Sequence, residues 1–232
     1  MHKNDPEGDA VMKPVFVAFE GIDGSGKGVQ LRALEERLKS EGKKVAVVDF
    51  PQYESFFGLE IGKLLSGKYE ARADRLDARS MSLWYAMDRW LAFKNNDYSE
   101  YDFVLLNRST LSNAVYQVLR VPESEKEEML TWIEKLEFDT LEIPRADLFL
   151  VFDVPVKKSR ENVAKKGHRD YVGEDADVYE KNLSFLEKVR NGYIAAAEKF
   201  ENAVKINCTD KKGAMRSVDD ITEEVYKYVI KL

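Results

Sequence analysis

Five short apolar runs, separated by longer amphipathic stretches, dominate the pattern of this chain. The runs are rich in β-branched and aromatic residues, as buried parallel strands are. They lie at residues 15–19, 44–49, 103–106, 148–152 and 203–207. Strands that alternate with helical segments predict an α/β fold: a doubly wound, five-stranded parallel sheet with helices on both faces.

Helical spacing of apolar residues fills the stretches between the runs. The first helix carries Leu31, Leu34 and Leu38 on one face and should end near Gly42. Further helices are predicted at residues 81–93, 112–119, 125–136, 178–200 and 217–230. Neither an internal repeat nor a low-complexity linker interrupts the pattern. We therefore expect a polar, disordered leader at residues 1–12 and a single domain at residues 13–232.

Composition excludes several classes of function. The chain of 232 residues has a net charge of −6, whereas a general nucleic-acid binder would show a basic excess. A single cysteine, Cys208, allows no intramolecular disulfide and favours a reducing, cytoplasmic compartment. No apolar run approaches the ~18 residues of a membrane span. We expect small-molecule substrates, with no nucleic-acid or membrane partner.

The most informative motif begins at the end of the first strand, where Glu20 to Gly28 reads EGIDGSGKG. Its glycines and lysine have the spacing of a phosphate-binding loop, in which backbone N–H groups and a helix N-terminus hold phosphate oxygens. Lys27 would add a point cation at the last two phosphates. The alternative is a glycine turn that merely joins a strand to a helix. The residues predicted to bind the nucleotide are Gly21, Gly24, Ser25, Gly26, Lys27, Gly28 and Val29.

The position after Lys27 departs from the usual loop. It normally carries Ser or Thr, whose hydroxyl coordinates Mg²⁺, but here it is Gly28, followed by Val29. The sequence GSGKG resembles the loop of nucleoside monophosphate kinases. In those enzymes the metal is held largely by phosphates and waters, which suits the reluctance of Mg²⁺ to lose its hydration shell.

Two segments after later strands bear on the second substrate. Phe50 and Pro51 directly follow the second strand. Tyr85 and Arg89 are four residues apart, so they share a helix face and could stack on a base and donate to its carbonyl. On spacing alone we favour the alternative, a core aromatic with Arg89 paired to Asp88 or to a nearby acid.

A third segment, NRSTLSNAVYQ at residues 107–117, opens a helix just past the third strand. Arg108 at the carboxyl end of a strand is placed to hold a phosphate bidentately. Ser112, Asn113 and Tyr116 lie along the start of the helix, with Gln117 adjacent.

Taken together, these segments resemble the thymidylate kinase family, P-loop enzymes that transfer the γ-phosphoryl group of ATP to dTMP. The family's Asp-Arg-Tyr segment, followed by Ser and Tyr-Gln, is similar to residues 107–117. Its aromatic-to-arginine helix is similar to the segment from Tyr85 to Arg89. The similarity runs from Lys13 to about Phe200. It implies a P-loop NTPase fold with a lid at about residues 157–175, ATP and Mg²⁺ as cofactors, and a homodimer.

The resemblance also implies roles for matching residues. Asp23 would accept a hydrogen bond from the 3′-hydroxyl of dTMP, Tyr85 would stack on thymine, and Arg89 would reach a thymine carbonyl. Glu20 would order Mg²⁺ through water. The complete set predicted to bind the acceptor is Asp23, Phe50, Pro51, Tyr85, Arg89, Arg108, Ser112, Asn113, Tyr116 and Gln117.

A basic run at residues 157–169 matches the family's lid, although such a run is ordinarily a solvated helix face. Phosphoryl transfer depends on charge neutralisation more than on a general base. Family members with glycine at the position of Gly24 supply the catalytic arginine from the lid, which implies Arg169, with Lys165 and Lys166 behind it. Arg160 would lie against adenine. The predicted catalytic residues are Lys27, Arg108 and Arg169.

Several departures from the family keep rival functions open. Asn107 and Ser109 stand where the family has Asp and Tyr, and Gln52 stands where many relatives carry a basic residue, which leaves Lys63 as the nearest cation. The alternatives are a kinase of another (deoxy)nucleoside monophosphate or of a deoxynucleoside, and a nucleotide-binding protein with little kinase activity.

Overall fold

The strands of the computed structural model, which describes residues 13–67, 70–166, 178–179 and 182–232, form one parallel sheet. Its order is β2-β3-β1-β4-β5. The strands are β1 (Val15–Glu20), β2 (Val45–Asp49), β3 (Phe103–Asn107), β4 (Leu148–Asp153) and β5 (Ala203–Asn207). Every predicted strand is therefore confirmed, with ends that differ by at most one residue, and so is the five-stranded α/β fold.

Eight α-helices connect and cover the strands in the described part of the chain. They are α1 (Lys27–Ser40), α2 (Phe56–Ser66), α3 (Ala78–Asn95), α4 (Thr110–Val118), α5 (Lys126–Glu134), α6 (Val156–Lys166), α7 (Leu183–Lys199) and α8 (Val218–Val229). The sequence pattern did not predict α2, because Gly58 and Gly62 weaken its helical signal. Ser55 caps this helix by accepting a hydrogen bond from the Gly58 N–H at 3.2 Å.

Two predicted helices need correction at their ends. The helix expected at residues 125–136 is regular only to Glu134 and then widens into a π-helix, Lys135–Thr140. The helix expected at residues 178–200 begins only at Leu183, where Asn182 caps it by accepting a hydrogen bond from the Phe185 N–H. Val178 and Tyr179 instead form a turn.

The core lies on both faces of the sheet, as expected of a doubly wound fold. On one face the side chains of β1 and β4 pack against α1 and α8, through residues that include Val17, Leu34 and Val225. The other face is covered by α3 and α7. None of the helices in the described ranges is long and apolar enough to cross a membrane.

This topology determines where polar groups converge. Because β1 pairs with β3 on one side and β4 on the other, the ends of these strands meet at one edge of the sheet. Glu20, Asn107 and Asp153 are the last residues of the three strands. Ligands of open parallel sheets bind beyond this edge.

Candidate active site

The loop between β1 and α1 leaves open space at the helix N-terminus. Gly21, Gly24 and Gly26 have φ angles of 136°, 75° and 99°, in the region that favours glycine. A Cβ on Gly21 would lie 2.7 Å from the Phe152 carbonyl oxygen, whereas a Cβ on Gly26 would meet nothing within 4 Å. Since Gly26 caps α1, this open space is suited to a phosphate group.

Lys27 lies across this loop. It is only 6% exposed, and its Nζ donates to the carbonyl oxygens of Gly21 at 2.9 Å and Ile22 at 3.0 Å. The ammonium group is thereby held at the loop, where a bound polyphosphate would lie. Ser25 is also buried, and its hydroxyl has no hydrogen-bond partner among the described residues.

Gly28 and Val29 follow at the start of α1. The nearest atom to a Cβ on Gly28 would be Arg32 Nη1 at 3.7 Å, so steric crowding does not explain the missing hydroxyl. Val29 is 36% exposed. Neither residue offers an oxygen ligand from its side chain.

Helix α6 packs directly on the loop. Ser159 Oγ donates to the Asp23 carbonyl oxygen at 2.5 Å, and Asn162 Nδ2 donates to the Gly24 carbonyl oxygen at 2.9 Å. A Cβ on Gly24 would overlap the Ser159 carbonyl oxygen. The first part of the basic run is therefore a helix joined to the phosphate loop.

The basic side chains of α6 are only partly described. Arg160 and Lys165 are exposed. The side chain of Lys166 and all of Arg169, the predicted lid arginine, lie outside the described residues.

Arg108, directly after β3, is held in a fixed position. Its φ angle of 71° is unusual for a residue with a side chain. Nη2 forms an ion pair with Asp23 Oδ1 at 2.8 Å, and Nη1 donates to Ser112 Oγ at 3.2 Å and to Tyr193 Oη at 3.1 Å. The guanidinium also lies over the ring of Tyr116, 5.7 Å from its centroid. These contacts position a cation beside the loop.

Glu20 lies beneath Arg108 and is fully buried. Its two carboxylate oxygens accept hydrogen bonds from Ser109 Oγ at 2.6 Å and Ser112 Oγ at 2.5 Å. Burial raises the pKa of Glu20, although these two hydroxyls and the charges of Arg108 and Lys27 act in the opposite direction. Ser109, one of the departures from the family pattern, is therefore a partner of Glu20.

The geometry limits what Glu20 can offer a metal. Both of its oxygens are occupied by serine hydroxyls, so direct coordination does not fit this arrangement. No group of three or more His, Cys, Asp or Glu residues suited to a metal occurs within the described ranges. A contact of Glu20 with Mg²⁺ through water stays a prediction.

Replacing Glu20 with Gln should change how stability depends on pH. Because the folded-state pKa is raised from 4.5, the unfolded carboxyl loses its proton first as pH rises, and wild-type stability falls between 4.5 and the folded-state pKa. The variant lacks this loss, so its unfolding free energy relative to wild type should increase with pH, by about 1.4 kcal/mol per unit of pKa difference. Urea unfolding of both proteins from pH 4.5 to 8.5 measures this difference in unfolding free energy. The exposed Glu100→Gln control should show no trend; a flat difference for Glu20→Gln would contradict the prediction.

A cavity of about 200 Å³ adjoins the loop and Arg108. It brings together nearly all of the residues predicted to bind the acceptor: Asp23, Phe50, Pro51, Tyr85, Arg89, Arg108, Ser112, Asn113 and Tyr116. The exception is Gln117, which is buried and accepts a hydrogen bond from Arg120 Nη1 at 2.8 Å. Gln117 therefore binds Arg120 and, within the described part of the chain, does not line the cavity.

The cavity wall includes Tyr85 and Arg89, the two α3 residues that the sequence placed on one helix face. Tyr85 is partly exposed there. Arg89 also lines the cavity but is 3% exposed, and it forms an ion pair with Glu137 through Nε at 2.7 Å and Nη2 at 2.5 Å. Asp88 is not its partner: that carboxylate accepts from the Gln52 N–H and the Ser55 hydroxyl, both at 2.9 Å.

The departures from the family pattern can also be placed. Asn107 lines the cavity, and its buried Oδ1 has no hydrogen-bond partner in the described part of the chain. Lys63 forms an ion pair with Glu60 on α2 at 2.5 Å. The cations that line the cavity are accordingly Arg89 and Arg108, as far as the described residues show.

Sequence reasoning missed Tyr193, Glu137 and Ser159. Tyr193 lies on α7, where the sequence pattern predicted only a helix. Burial raises the pKa of its hydroxyl well above the usual value. Glu137 comes from the π-helix. No local motif could have linked these residues to a loop and a cavity so distant in sequence.

Comparisons of the sequence and of the fold with known proteins lead to one family. The family model described as thymidylate kinase matches residues 19–221. The thymidylate kinase of Mycobacterium tuberculosis is 27% identical over 186 residues, which are 79% of this chain and 86% of that protein. A probable thymidylate kinase of Methanobrevibacter smithii is 31% identical over 216 residues, 93% and 96% of the two chains. A solved structure of thymidylate kinase from Candida albicans shares the fold, with a TM-score of 0.68, 18% identity, and coverage of 94% of this chain and 92% of that one.

Proposed function

Because this chain belongs to the thymidylate kinase family, we propose that it transfers the γ-phosphoryl group of ATP to dTMP, forming ADP and dTDP. The observation that carries the proposal is that the cavity and the phosphate loop share Asp23 and Gly24. Arg108 lies at their junction, bound to Asp23. A donor on the loop and an acceptor in the cavity would therefore meet at one cation.

The donor site is proposed to be the loop. Its glycines and the N-terminus of α1 would hold the phosphates of ATP, and Lys27 would turn from the carbonyls of Gly21 and Ile22 to the phosphate oxygens. Arg160 would lie against adenine. The loop residues in this role are Gly21, Gly24, Ser25, Gly26, Lys27, Gly28 and Val29. When bound with ATP, Mg²⁺ would neutralise phosphate charge, held mainly by phosphates and waters with Glu20 behind them.

The acceptor site is proposed to be the cavity. Arg108 is oriented by Asp23, Ser112 and Tyr193, so little reorganisation would be needed when it binds the monophosphate. The 3′-hydroxyl of dTMP would join the existing contact between Asp23 and Arg108. Tyr85 would stack on thymine, and Phe50 would form another part of the wall around the base.

Other features of the proposal rest on the family resemblance. We propose a single kinase domain at residues 13–232 with a lid at about residues 157–175, in which Arg169 is the catalytic cation. A homodimer and a cytoplasmic location are proposed on the same basis.

An ADP-release assay with separate acceptors tests the proposal. With ATP and Mg²⁺, dTMP should give the highest kcat/KM among dTMP, dUMP, dCMP, dGMP, AMP and thymidine. A preference for another monophosphate would contradict the base assignment, and a preference for thymidine would contradict the role of Arg108. ATP binding without turnover of any acceptor would favour a nucleotide-binding protein.

A further inference from the structure

A buried carboxylate lies behind the cavity wall. Glu137 is 0% exposed, and it accepts hydrogen bonds from two residues of the wall and from one neighbour. Arg89 donates at 2.7 and 2.5 Å, Asn113 Nδ2 at 2.7 Å and Thr110 Oγ1 at 2.6 Å. Arg89 and Asn113 line the cavity, whereas Glu137 reaches it only through them.

These contacts determine which way the Asn113 amide points. Its Nδ2 lies 2.7 Å from Glu137 Oε1, 3.2 Å from the Ser82 carbonyl oxygen and 2.8 Å from Ser82 Oγ. A carboxylate and a carbonyl only accept hydrogen bonds, so the atom between them must be the NH₂ group. The amide oxygen Oδ1 is left over: it is buried and has no partner among the described residues. A buried acceptor of this kind favours a ligand that can donate to it.

The same carboxylate constrains Arg89. Its Nε and Nη2 donate to the two oxygens of Glu137 in a bidentate pair, which fixes the plane of the guanidinium. Nη1 makes no hydrogen bond to any described residue. Asn113 and Arg89, which both line the cavity, therefore carry an unused acceptor and an unused donor whose orientations are fixed.

We propose that Glu137 is a positioning residue that sets the base specificity of the acceptor site. The inference rests on the proposed function, since it assumes that the base of a nucleoside monophosphate lies in this cavity. Thymine and uracil present an N3–H donor beside the O4 carbonyl acceptor, which complements an acceptor on Asn113 and a donor on Arg89. Cytosine presents the inverse pair, an N3 acceptor beside an amino donor. Without Glu137, Ser82 alone would hold the Asn113 amide and Arg89 would lose its bidentate partner, so the two residues would discriminate less strongly against cytosine.

Glu137→Gln tests the inference, because its amide has one accepting oxygen in place of two and cannot keep the bidentate pair with Arg89 together with the contact to Asn113. The ratio of the dissociation constants of dCMP and dTMP, measured by calorimetry, should fall at least about tenfold. The Kd for ATP should stay unchanged. Because Glu137→Gln leaves the Arg89 guanidinium buried without its counter-charge, Glu137→Asp is made in parallel; it keeps the charge but is one methylene too short for all three partners.

Ile133→Val is the matched control for a purely structural effect. Ile133 is fully buried on α5, the helix that leads into the π-helix, and the substitution should lower thermal stability without changing the dCMP to dTMP ratio. A folded Glu137→Gln or Glu137→Asp protein with the wild-type ratio would overturn the inference. Failure of the proposed function would instead be seen in the wild-type protein, as absence of ADP release with dTMP.

Discussion

Arg108→Ala is expected to lower kcat/KM for dTMP by about 10³-fold while leaving the KM for ATP nearly unchanged. The guanidinium lines the cavity and is oriented there by Asp23, Ser112 and Tyr193. Truncation removes the cation that would hold the acceptor phosphate in the ground state and neutralise its charge during transfer. Steady-state ADP release with dTMP and ATP varied separately measures both constants. An unchanged KM for dTMP together with unchanged turnover would contradict a role in holding a monophosphate.

The backbone of Arg108 provides an unusual control. Its φ angle of 71° is strained for alanine but not for glycine. Arg108→Gly should therefore lose as much activity as Arg108→Ala and yet be more stable, by about 1 kcal/mol in urea unfolding. If the glycine variant regained activity, the loss in the alanine variant would come from the backbone rather than from the missing guanidinium. Substitution of the exposed Arg79 by Ala should change neither the activity with dTMP nor the unfolding free energy by a comparable amount.

The strands and the loop could be predicted because their causes are local. A strand buried on both faces must be an apolar run, so all five strands were located to within one residue. The glycines at positions 21, 24 and 26 were recognisable because positive φ angles at a strand-to-helix turn require glycine. Cavity residues that follow a strand, such as Arg108, were also predictable, since the ends of those strands meet at one edge of the sheet. Tyr85 and Arg89 were assigned a binding role only through the family resemblance.

The remaining features depend on packing between distant segments. Gly58 weakens the helical pattern of α2, but the structure needs it because a Cβ there would overlap the Gln52 carbonyl oxygen. Glu137 is buried because it lies in a π-helix, which the spacing of apolar residues does not predict. Its pairing with Arg89 joins residues 48 positions apart, whereas spacing suggested only Asp88 or an unspecified nearby acid. Sequence patterns identify which residues line a site more readily than they identify which residues orient them.

The second large effect is expected at Gly24, where the loop meets α6. Gly24→Ala should lower kcat/KM for both ATP and dTMP by about 10²-fold or more and reduce the unfolding free energy by about 2–3 kcal/mol. A Cβ there would overlap the Ser159 carbonyl oxygen and come within 2.9 Å of Val163 Cγ2, and the φ angle is 75°. The helix must move away, which breaks the Ser159 and Asn162 hydrogen bonds to the loop. Steady-state kinetics and urea unfolding test both parts.

Gly213→Ala separates this steric effect from backbone strain. Gly213 has a φ angle of 78°, close to that of Gly24, but a Cβ there would meet nothing within 4 Å. Its substitution should lower the unfolding free energy by only about 1 kcal/mol and leave both kcat/KM values unchanged. The difference between the two variants then measures the contact between α6 and the loop. If Gly24→Ala were as mild as Gly213→Ala, α6 could not be packed on the loop in solution, and the Ser159 and Asn162 hydrogen bonds to the loop would not contribute to the donor site.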